Sequence, residues 1–84
     1  MSARRNRHGQ LSRAALMQSQ RDEVAREKGG VTHTAVIGWE GPTVGFRVTL
    51  SSSAGLSTTV KYGDDLAAAR REFRRQVRSI GGVA

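Results

Sequence analysis

Apolar and polar residues alternate strictly over residues 43–50, with Val44, Phe46, Val48 and Leu50 on one side and Thr43, Gly45, Arg47 and Thr49 on the other. A period of two marks a half-buried strand. Leu56, Thr58, Val60 and Tyr62 alternate with Ser57, Thr59 and Lys61 in the same manner. Upstream, residues 31–39 are β-rich and put His33, Ala35, Ile37 and Trp39 on one side. Turn compositions, 40–43 (EGPT) and 51–55 (SSSAG), separate these segments. The pattern therefore predicts three strands in an antiparallel meander.

The period changes after Tyr62. Leu66, Ala69, Phe73, Val77 and Ile80 recur at helical spacing and form one continuous stripe. Asp64 and Asp65 suit the positive end of that helix, with Asp64 as N-cap, and Gly81-Gly82 stops it. A first helix is predicted over 12–28. Ser12 is its N-cap, Leu11 and Leu16 fall at the positions of a hydrophobic staple, and Gly29-Gly30 closes it. Its apolar face is thin, limited to Ala14, Met17 and Val24 and interrupted by Arg21. Packing of this helix is expected to be weak or to depend on a partner.

The expected architecture is α+β in the order α-β-β-β-α. A three-stranded antiparallel sheet packs on a C-terminal amphipathic helix, with residues 1–11 a flexible, disordered basic arm and 12–84 a single small domain. Opposing Trp39 to Val44 and Leu50 to Leu56 across the two turns puts the large apolar residues on one face. The open face then carries the rows Val36-Arg47-Thr59, Thr34-Thr49-Ser57 and Gly38-Gly45-Lys61.

Charge sharpens this picture. Twelve of the fourteen basic residues are arginine, and the formal net charge is +7 on 84 residues. Such self-repulsion is relieved by a polyanion or an acidic partner. Arg4, Arg5, Arg7 and Arg13 crowd the N-terminus, and Arg70, Arg71, Arg74, Arg75 and Arg78 crowd the last helix. A GC-rich genome also supplies arginine freely, so the positions of these residues carry more meaning than their number. Within the helix Glu72 is the single acid, placed to pair with Arg75 or Gln76.

Other chemistry is sparse. The chain has no cysteine, so neither a disulfide nor a thiolate metal site is available. His8 and His33 stand apart and no acids cluster beside them, which argues against a metal or other cofactor. The serines at 51–53 form a turn with no histidine placed to activate a nucleophile, and an enzymatic role is not expected. No run is apolar enough to span a membrane or to serve as a secretory signal, so a cytoplasmic protein is expected.

Read over residues 44–80, the segments GFRVTL and TTVKYGDDLAAARREFRRQV resemble the three-strand-plus-helix DNA-binding domains of phage-type integrases and plant ethylene-response factors. The resemblance implies that the open sheet face lies in the major groove, with Arg47, Thr49, Thr59 and Lys61 on bases or phosphates. It also implies a standalone accessory or regulatory protein of a phage or mobile element. The full element order resembles the double-stranded-RNA-binding domain as well. That family opens its last helix with lysines, where this chain has Asp64 and Asp65.

The leading expectation is a small nucleic-acid-binding protein, duplex DNA being favoured. Its binding residues are Arg4, Arg5, Arg7 and Arg13 in the arm, Thr34, Arg47, Thr49, Thr59 and Lys61 on the sheet, and Arg71, Arg74, Arg75 and Arg78 on the helix. Two alternatives stay open: a basic interaction factor, such as a phage-type inhibitor or assembly subunit, that docks on an acidic protein, and an RNA- or ribosome-associated protein. The first and third predicted strands each leave an open edge, the third guarded only by Lys61, so a homodimer also fits.

Overall fold

The computed structural model describes residues 11–18 and 20–81. The elements are a short helix α1 (Arg13–Met17), four strands β1 (Asp22–Lys28), β2 (Val31–Trp39), β3 (Phe46–Ser52) and β4 (Ser57–Gly63), and a long helix α2 (Leu66–Ser79). The strands form one antiparallel meander in the order β1-β2-β3-β4. Both helices bury residues in the same apolar cluster, so both cover one face of the sheet.

The expected class, an antiparallel sheet against a C-terminal helix, is found, but with four strands. The predicted first helix is the element that changes. Its start holds: the Ser12 hydroxyl accepts from the Ala15 amide at 3.2 Å, and Leu11 and Leu16 are both buried. Leu11, expected at the end of the arm, thus belongs to the core. The helix ends at Met17, and the residues it buries are Ala15 and Leu16, whereas Ala14 and Met17 face solvent. One turn of helix suffices here because both of those side chains are buried in the core cluster.

Residues 22–28 (DEVAREK) are helix formers by propensity, yet they build an edge strand. Gly29 and Gly30 both have positive φ, 61° and 82°. They form a two-residue hairpin turn of the primed kind that matches strand twist, not a helix stop. The turn sets Lys28 opposite Val31 and Val24 opposite Ala35. Val24 is then half-buried against the core, and the backbone groups of β2 that would have lined an open edge gain partners. As a lone helix the same segment had almost no apolar face to bury, so the ladder wins over local preference.

The face assignment of the other strands is as expected, but the register slides by two residues. Trp39 pairs with Phe46, Ile37 with Val48, and Ala35 with Leu50. On the other side of β3, Val48 pairs with Val60 and Leu50 with Thr58. A slip of two preserves which side chains face the core and changes only their neighbours. The turn at 40–45 is correspondingly longer, closed by the Glu40 amide on the Gly45 carbonyl. Leu56 lies outside β4 and is 74% exposed.

Phe46, Leu16 and Val48 are the largest fully buried side chains, and Trp39 meets Phe46 edge to face at a centroid distance of 4.8 Å. From α2 the whole predicted stripe (Leu66, Ala69, Phe73, Val77 and Ile80) is buried. Its N-cap is Asp65, whose carboxylate accepts from the Ala68 amide at 3.0 Å, and not Asp64.

Candidate nucleic-acid interface

Both helices cover one face, and among the described residues no helix packs on the other face of the sheet. Pairing of all four strands gives it the rows Ala25-Thr34-Ser51-Ser57, Glu23-Val36-Thr49-Thr59 and Gly38-Arg47-Lys61, in place of the rows expected from sequence. Arg21 extends the last row, since its Cγ lies 3.5 Å from where a Cβ on Gly38 would be. Arg21 was missing from the expected site because its place follows from β1, which sequence reasoning did not find.

Arg47 sits in the end row of this face, beside the turn at 40–45, with its side chain only 19% exposed. It pairs with Glu40 at 2.6 Å and donates to the Thr49 hydroxyl at 2.8 Å, while the Thr49 and Thr59 hydroxyls bond each other at 3.1 Å. The guanidinium is therefore held in one orientation, with two of its five N–H groups engaged. Lys61 and Thr59 are exposed, and Thr34 and Thr49 are half-buried. Three cations (Arg21, Arg47, Lys61) share the face and its margin with three acids (Glu23, Glu27, Glu40), so its formal charge is balanced.

The helical layer is different. Arg71, Arg74, Arg75 and Arg78 are all exposed on α2, away from its buried stripe. Arg75 is held by Glu72, its Nε donating at 2.9 Å, and Gln76 donates to the same carboxylate. The hydrogen bond from Arg75, with that from Gln76, holds the Glu72 carboxyl below its ordinary range despite partial burial. Among the described residues, Arg71, Arg74 and Arg78 make no ion pair.

Two further arginines join this layer by capping backbone carbonyls. Arg13 donates to the Asp64 carbonyl at 2.9 Å, and Arg70 donates to the Leu11 carbonyl at 2.7 Å. Burial, together with the nearby charges of Arg13 and Arg74, lowers the pKa of Arg70. The six arginines of the two helices thus stand on this side with Glu72, Asp64, Asp65 and Asp22, the last lining the same small cavity as Arg70. Arg4, Arg5 and Arg7 lie outside the described residues.

The candidate residues consequently divide between two opposite surfaces. Arg47, Thr49, Thr59, Lys61 and Thr34 look out from the sheet, while Arg13, Arg71, Arg74, Arg75 and Arg78 look out from the helices on its other side. Among the described residues, no group of His, Asp and Glu could hold a metal ion, and no helix is long and apolar enough to cross a membrane. No protein-family model, curated protein or solved structure matches this chain.

Proposed function

We propose that this protein binds nucleic acid, duplex DNA in preference to RNA, and that the helical layer supplies its phosphate contacts. The observation that carries the reading is the concentration of arginine on that layer, with Arg71, Arg74 and Arg78 exposed and outside any ion pair among the described residues. A guanidinium with no carboxylate to leave docks on a phosphate without breaking an existing pair. The balanced charge of the sheet face makes it a poor first contact for a polyanion.

A second reading has its own support in Arg47. Its two partners fix the guanidinium over a flat surface of Thr and Ser, which suits reading of guanine edges in a major groove. The two surfaces point apart, so one straight duplex meets one of them at a time.

The deciding experiment is fluorescence anisotropy of labelled duplex DNA, single-stranded DNA and duplex RNA over a salt series. Tight duplex-DNA binding with a steep salt slope supports the proposal. Weak binding, equal for the three and lost near physiological salt, assigns the arginines to an acidic protein partner instead.

A further inference from the structure

We infer that β4 is a dimerisation edge, and that two copies pair β4 with β4 antiparallel about a two-fold axis at Thr59. The sheet has two edges of unlike chemistry. β1 (DEVAREK) carries five charged residues along seven positions, a common guard against edge pairing. β4 (STTVKYG) carries only Lys61. β2, expected from sequence to be an open edge, is covered by β1.

Backbone geometry specifies which groups β4 offers. The Ser52 amide donates to the Leu56 carbonyl at 2.8 Å, which makes residues 52 and 56 a hydrogen-bonded pair. Such pairs alternate along an antiparallel ladder, so Thr58 and Val60 also point their backbone groups at β3. The N–H and C=O groups of Ser57, Thr59 and Lys61 therefore point outward. A two-fold axis at Thr59 matches Thr59 to itself and Ser57 to Lys61 of the second copy, pairing all three residues. An axis at Ser57 or at Lys61 leaves residues unpaired, and the latter sets lysine against lysine.

Side chains favour a second copy in this register. Leu56, just before β4, is 74% exposed, and Val60, on the core side of β4, is 38% exposed, both beyond the cover of α2. The axis at Thr59 lays Leu56 across from the second copy's Tyr62, which is half-buried at the margin of the core, and Val60 beside Thr58. Head-to-tail pairing of β4 on β1 would instead set Leu56 against Lys28, and would leave an edge free to continue a filament. In the closed dimer both helical layers lie on the same side of an eight-stranded sheet.

The test does not depend on the nucleic-acid proposal, because salt acts on the two in opposite senses. Two chains of charge +7 repel, so self-association strengthens as salt screens them, whereas nucleic-acid binding weakens. Sedimentation equilibrium without nucleic acid should give the mass of two chains at about 0.5 M salt, with dissociation favoured at low salt. Leu56→Lys, at an exposed turn position, should raise the dissociation constant at least about tenfold. The natural chain lacks cysteine, which permits a register test. Thr59→Cys should form a disulfide-linked dimer on mild oxidation. Ser57→Cys should not, because its sulfurs would lie about 13 Å apart along the strands. A monomer at every salt concentration, assemblies larger than a dimer, or faster crosslinking of Ser57→Cys would each overturn the inference.

Discussion

The Arg13 guanidinium lies over the ring of Phe46, its carbon 5.1 Å from the ring centroid, while it donates to the Asp64 carbonyl. One side chain thus ties α1 to the most buried aromatic of the sheet and to the turn that precedes α2. Arg13→Ala should therefore destabilise the fold by about 1–2 kcal/mol in the absence of any ligand. Urea denaturation checks this, and unchanged stability would leave Arg13 available as a purely surface contact.

Leu16→Ala tests whether the single turn of α1 is integral to the fold. Leu16 is almost fully buried, so the substitution should cost about 2–5 kcal/mol. A loss below about 0.5 kcal/mol would mean that α1 packs only loosely, as its thin predicted apolar face suggested.

Gly45 and Gly55 offer a matched pair. Both have positive φ, 78° and 96°, but a Cβ at Gly45 would stand 2.0 Å from the Gly63 carbonyl oxygen, whereas at Gly55 it meets open space. Gly55→Ala should cost about 1 kcal/mol and Gly45→Ala at least about 3 kcal/mol, with loss of the register shift that the β3–β4 pairing makes between Phe46 and Arg47. Equal midpoints in thermal melts of the two variants would contradict the close backbone approach.

Glu72 predicts a pH dependence. Its pKa is depressed in the folded state, chiefly by the hydrogen bond from Arg75. The resulting stabilisation is fully present above the ordinary value of 4.5 and is lost as pH falls through the depressed value. Glu72→Gln should remove that acid-side component of the stability profile, read from urea midpoints between about pH 7 and pH 3. A variant whose profile keeps the wild-type slope would place the acid sensitivity elsewhere.

On the helical layer, replacing Arg71, Arg74 and Arg78 together with serine should weaken binding to all duplex sequences. The log–log salt slope should fall by roughly two to three. Arg47→Ala should leave that slope nearly unchanged. If sequence preference relaxes in the Arg47 variant, the sheet face contributes base reading; if the triple variant binds normally, the phosphate assignment fails.

Most of the framework was legible in the chain. The alternation around Phe46 and Val48 and the stripe from Leu66 to Ile80 each bury one face, so periodicity alone separated core from surface there. Ser12 as a cap, the pairing of Glu72 with Arg75, and the exposure of the α2 arginines follow from spacing within one helix and were equally readable. Local rules failed at residues 22–28, where good helix formers become β1. Propensity there is worth tenths of a kcal/mol per residue, less than the gain from completing the β2 ladder and half-burying Val24. Register was likewise beyond local pattern, since a slide of two keeps every side chain on its own face. What only the tertiary structure decided is therefore the fourth strand, the neighbours of Arg47, and the division of the cations between two opposite surfaces. Those depend on which distant segments meet, and a one-dimensional pattern of apolar and polar residues does not encode it.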